Sequence, residues 1–170
     1  MKAIVRTCWE ICLLKRGPQV FPRSPALLAV MLCIYVLMDM VQSLAQKTHG
    51  PSMLLQAALD TALFAVFCVL VLSVRGLRGR FNQTFVALLG TSILIMMVQT
   101  PFILVSVHSG TAVPAYVASW AVVLLMAWGV IVIGHILRHA VNMPFMAGIL
   151  VACLYVIANQ LIFSGLFPMG

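Results

Sequence analysis

Apolar residues run almost unbroken through five stretches of the chain: Ala26–Gln46, Met53–Val74, Thr84–Ser106, Pro114–Leu137 and Pro144–Phe167. Each is too long for a strand and matches the roughly 20 residues a helix needs to cross ~30 Å of hydrocarbon. Helix-start chemistry supports the division. Ser24-Pro25 pairs a capping hydroxyl with a proline suited to the first turn. Pro51-Ser52, Pro114 and Asn142-Met143-Pro144 punctuate three of the other starts, and Asn82 offers the remaining one a cap without a proline. The connections are short, as expected between antiparallel neighbours. The pattern predicts an all-α membrane protein, a five-transmembrane-helix bundle over residues 25–167.

Residues 1–24 form a different, cytoplasmic segment. Val5, Cys8, Trp9 and Cys12 fall on one helical face, with Arg6, Lys15 and Arg16 elsewhere. This predicts an amphipathic helix lying in the membrane interface, ended by Gly17-Pro18. Glu10, Lys15, Arg16 and Pro18 interrupt the place where a signal peptide would need an apolar core, so the first span is expected to direct insertion and the N-terminus to be retained.

Composition agrees with a membrane protein. Hydrophobic residues make up 64% of the 170-residue chain and charged ones only 8%, with a mean hydropathy of +1.15. A soluble domain carries about a quarter charged residues, so that class is excluded. Five cysteines, three of them inside apolar runs, do not make a disulfide framework and read as reduced thiols.

The net charge of +7 comes from ten Lys and Arg against three acids, Glu10, Asp39 and Asp60. Lys2, Arg6, Lys15, Arg16, Arg23, Arg75, Arg78, Arg80 and Arg138 fall on one side of the predicted spans, and Lys47 alone on the other. Nine to one in short segments orients the chain with its N-terminus inside and Phe167–Gly170 outside. The basic residues form no aromatic-interleaved face, so a nucleic-acid partner is not expected. Anionic lipid is the expected counterpart, with Arg75, Arg78 and Arg80 forming a turn suited to headgroups.

The informative residues are polar ones in hydrocarbon, where each is costly and an ionisable one marks a functional candidate. Asp39 lies about seven residues, ~10 Å, before the outer end of span one, and Asp60 at a similar depth after the outer start of span two. Gln42 and Gln56 stand one turn from them. Gln99, Asn159 and Gln160 reach the same layer, as do Ser119 and Trp120. No Lys or Arg lies within the spans to neutralise the two acids. They must be protonated, or compensated by a cation or ligand. Pro101 is expected to kink span three near this layer.

Weaker signals sit at the cytoplasmic side. His135 and His139 share a helix face, and Cys8 and Cys12 repeat the four-residue spacing, which makes a four-ligand zinc site conceivable. Interfacial histidines and buried thiols are the plainer expectation, and no metal or other cofactor is predicted. Met38, Met40, Met96 and Met97 read as apolar filler. Ala58/Ala62 and Gly148/Ala152 have the small-xxx-small spacing of closely packed helices.

Catalytic signatures are missing: no HExxH, GxSxG or phosphate-binding glycine loop. The nearest enzyme class, an intramembrane aspartyl protease, lacks its Gly-x-Gly-Asp setting, so enzymatic activity is not expected. Short loops, an odd span count and small-residue faces favour an accessory or scaffold subunit of a bacterial inner membrane, packed against partner membrane proteins or another copy of itself. The alternative is a small proton- or cation-coupled transporter or channel-like subunit working through Asp39 and Asp60.

Overall fold

The computed structural model describes residues 2–22, 24–46 and 52–166. Arg23, Lys47, Pro51 and the C-terminal Phe167–Gly170 lie outside the described residues. Six α-helices account for most of it: α1 (Lys2–Cys12), α2 (Pro25–Ala45), α3 (Ser52–Val74), α4 (Phe81–His108), α5 (Ala112–Val141) and α6 (Phe145–Leu166). Among the described residues there are no strands, and the five helices α2–α6 are long and apolar enough to cross a membrane. The chain is an integral multi-pass membrane protein by that criterion. Large apolar side chains on these helices, Leu37, Leu70, Leu124 and Leu154 among them, face outward, as a lipid solvent permits and water would not.

Local chemistry explains most of the helix ends. The Ser24 hydroxyl accepts from the Leu27 amide while Pro25 occupies the first turn. Asn142 stands in the left-handed region (φ 51°) and closes α5 rather than opening α6. Nor does Asn82 cap α4, which starts at Phe81 directly after a 3-10 turn, Arg78–Arg80. α1 ends before Gly17-Pro18. Leu14, at φ 61°, turns the chain back so that the Lys15 amide bonds the Glu10 carbonyl, the arrangement usually built on glycine.

α4 is the central strut. It packs along α5 on one side and α2 on the other, while α6 lies against α5, and α3 touches its neighbours sparsely. The α5–α6 crossing is the tightest: an added Cβ at Gly148 would collide with the Gly134 carbonyl, and one at Gly134 would come within 2.9 Å of the Ile149 amide nitrogen. Gly148 and Ala152 are thus used inside the bundle, whereas Ala58 and Ala62 are exposed on α3.

The N-terminal segment, the 75–80 turn and the α5–α6 turn meet at one end, the basic end. There Arg80 Nη1 donates to the Ala140 carbonyl (3.2 Å), Gln83 Nε2 to the Phe21 carbonyl (2.7 Å) and Gln19 Nε2 to the His139 carbonyl (3.3 Å). The core is densest at this end, where Phe85–Leu89 of α4 face Val132, Ile136 and Ala140 of α5. α1 is part of this core. Cys8 and Ile11 are buried against α4, and the Cys12 thiol lies 3.9 Å from the Thr91 carbonyl. The face expected to carry Val5, Cys8, Trp9 and Cys12 together is divided: the thiols turn into the protein, and Val5 and Trp9 turn out.

Candidate functional site

Toward the far end the bundle loosens, and the polar residues of the spans line the resulting space. Asp39, Ser43 and Gln46 of α2, Gln56 and Asp60 of α3, and Asn159, Gln160 and Phe163 of α6 enclose a cavity of about 250 Å³. A second cavity of about 370 Å³ adjoins it through Gln46 and Gln160 and is lined by Gln42, Gln99 and Ser106, with Val122 and Met126 of α5. Asp39, Gln42, Gln56, Asp60, Gln99, Asn159 and Gln160, all proposed from the sequence for this layer, each line one of the two cavities. Ser119 and Trp120 do not: both face outward, and the Ser119 hydroxyl bonds its own helix at the Ala115 carbonyl. They lie on the outward face of α5.

The two aspartates have different surroundings. Asp60 accepts from the Tyr35 hydroxyl at Oδ2 (2.7 Å) and from Asn159 Nδ2 at Oδ1 (2.9 Å), so each oxygen receives a donor from a different helix. Asp39 has neither a hydrogen bond nor an ion pair among the described residues, and its carboxyl faces the cavity. Committing Asn159 Nδ2 to Asp60 leaves Asn159 Oδ1 buried with no partner. A buried acceptor without a donor is uncommon and calls for an explanation. In the second cavity, Gln42 Nε2 approaches Gln99 Oε1 (3.5 Å) and the Met96 carbonyl (3.4 Å), and Gln99 Nε2 the Val122 carbonyl (3.3 Å). These are long, weak bonds by ordinary criteria, linking α2 to α4 to α5.

One turn toward the basic end, Asp39, Asp60 and Asn159 are each backed by an aromatic. Tyr35 stands four residues from Asp39, Phe64 four from Asp60 and Tyr155 four from Asn159. Their rings touch: the Tyr35 and Phe64 centroids are 6.0 Å apart and those of Phe64 and Tyr155 5.3 Å. Phe64 also meets Phe85 of α4 edge-on at 5.9 Å. This layer separates the cavity from the dense core. Sequence reasoning missed Tyr35, although its place one turn from a membrane-embedded acid was a usable signal.

The histidine and cysteine pairs are not brought together. His135 and His139 stack edge to face (4.6 Å), and His135 Nε2 lies 3.1 Å from the Arg16 carbonyl. Cys8 and Cys12 face Gly90 and Thr91 instead, and among the described residues no group of three or more His, Cys, Asp or Glu is placed to hold a metal ion. Burial pushes the Cys8 thiol up to about 11 and, with the neighbouring Cys8 adding to it, the Cys12 thiol up to about 12. Arg75 and Arg78 are exposed, with Arg78 Nε bonded to the Ser73 hydroxyl, and Arg80 is half-buried on the Ala140 carbonyl. No protein-family model, curated protein or solved structure matches the chain.

Proposed function

We propose that this protein binds a cation, or takes up a proton, in the Asp39–Asp60 cavity, as a small transporter or channel-like subunit. The observation that carries the reading is the cavity lining: two carboxylates from two helices, amide groups around them and, among the described residues, no Lys or Arg. A low-dielectric site of that composition favours positive charge. At about 250 Å³ it holds several waters or a small organic cation, more than a bare metal ion needs. The test is titration of the purified protein in neutral-lipid nanodiscs with Na⁺, Ca²⁺ and methylammonium, following thermal unfolding. Saturable stabilisation by one of them, lost in Asp39→Asn/Asp60→Asn, is the expected result; no stabilisation by any of the three, together with a stability that responds to pH no differently in that variant, overturns it.

A second reading, an accessory subunit packed against a partner membrane protein or a second copy, is favoured by Ala58 and Ala62. They sit one turn apart on the outward face of α3, where another helix can approach closely. A disulfide formed by Ala58→Cys between two copies tests the self-assembled form.

The orientation belongs with this proposal. The gathering of the basic segments at one end supports a cytoplasmic basic end, with the cavity in the outer leaflet half. α1 then lies at the inner interface, presenting Val5 and Trp9 to lipid and Arg6 to water, with Glu10 held between Arg6 and Arg16, and Arg75 and Arg78 meet anionic headgroups. A bacterial inner membrane suits an all-helical chain, since outer-membrane proteins are barrels.

A further inference from the structure

The face of α3 turned toward α6 changes character along a single stripe. Gln56 and Asp60 line the acid cavity, while Leu63, Phe67 and Leu70 line an apolar groove of about 310 Å³ between α3 and α6. Asn159 belongs to both linings. The two helices touch each other only sparsely, and Leu70 and Leu154 on the rim of the groove are 60% and 66% exposed. The groove is therefore open sideways, toward where lipid lies, and it runs about 10 Å along α3 from Leu63 to Leu70.

We infer that cavity and groove form one site for a cationic amphiphile, with an ammonium head between Asp39 and Asp60 and an alkyl chain along the α3–α6 groove. The inference rests on the cation reading of the cavity and adds the class of cation and its route. Charge selects the head. A phosphate-bearing lipid would set its anionic group against two carboxylates, with no Lys or Arg in the lining among the described residues. Hydrogen bonding selects an amine: three N–H donors match Asp39, Asp60 and the unpartnered Asn159 Oδ1 at the junction. The groove selects the chain. In a bilayer an alkyl chain gains little by leaving lipid for protein, so its work is to concentrate the amine in the leaflet and bring it in from the side.

The experiment compares dodecylammonium, methylammonium and dodecanol as ligands of the purified protein in neutral-lipid nanodiscs, read by thermal unfolding. Dodecylammonium is expected to half-saturate at a concentration at least tenfold below methylammonium, and dodecanol to have no saturable effect. Ala158→Trp, which fills the groove, should remove the tenfold advantage and leave methylammonium binding intact. Ala158→Leu is the milder variant should the tryptophan prevent folding. If both amines bind equally well, or if neither Ala158 variant alters their ratio, the amphiphile inference fails and the cation cavity stands. If neither amine binds, the amphiphile inference fails and the cation cavity stands or falls on Na⁺ and Ca²⁺; if Asp39→Asn/Asp60→Asn binds every cation unchanged, both readings fall together.

Discussion

The Tyr35 hydroxyl on α2 donates to Asp60 Oδ2 on α3 at 2.7 Å, a short hydrogen bond between two of the spans. It ties together two helices that otherwise pack loosely, and it fixes one of the two carboxylates, while Asp39 has no such partner among the described residues. Tyr35→Phe keeps the ring against Phe64 and removes only the donor. The expected loss is about 1 kcal/mol of unfolding free energy, between the ~0.6 kcal/mol average for hydrogen bonds between membrane helices and the larger penalty of an orphaned buried acceptor. Denaturation in detergent measures it; a neutral result would show that water replaces the hydroxyl.

Gly148→Ala places a methyl group on the Gly134 carbonyl, and backbone cannot step aside as a side chain can. A loss of about 2 kcal/mol is expected from overpacking. Gly129→Ala is the matched control in α5, because its added Cβ meets only Ile95 Cδ1 at 3.6 Å. There the better helix propensity of alanine should leave stability unchanged or raised by about 0.5 kcal/mol.

Gly90→Ala brings a methyl carbon within 2.6 Å of the Cys8 sulfur. α1 should lift from α4, which limited trypsin digestion at Lys15 and Arg16 would report as faster cleavage. Cys8→Ala in the same chain should restore protection, the signature of two coupled positions.

Cys8 and Cys12 should resist alkylation. A thiol raised from 9.0 to about 11 presents about a hundredfold less thiolate near neutral pH. Iodoacetamide labelling of variants that keep only Cys8 should therefore run about a hundredfold slower in the folded protein than after denaturation. Equal rates would mean that α1 does not stay seated.

What could be read from the residues was height, and what could not was direction. A fixed rise per residue places Asp39, Asp60, Gln56, Asn159 and Gln160 at one depth once short loops force adjacent helices to alternate, and the structure gathers them around a single cavity. Rotation about the helix axis has no such marker in a membrane, because protein core and lipid are equally apolar. Ser119 and Trp120 therefore turn out to face away from the cavities, and the apolar arc of α1 hides its division between core and exterior. Helix ends fell short for a related reason. α4 and α5, at 28 and 30 residues, outlast the hydrocarbon and continue through residues such as Arg138 and His139, which hydropathy counts as loop.

The seat of α1 against α4 and α5 also sets an order of events during synthesis. The Cys12 thiol waits 79 residues for the Thr91 carbonyl, and the Arg16 carbonyl 119 residues for His135. At ribosomal speeds of roughly 5–20 residues per second, α1 stays without these partners for several seconds. It is therefore among the last to dock, closing over strands of chain that were translated after it.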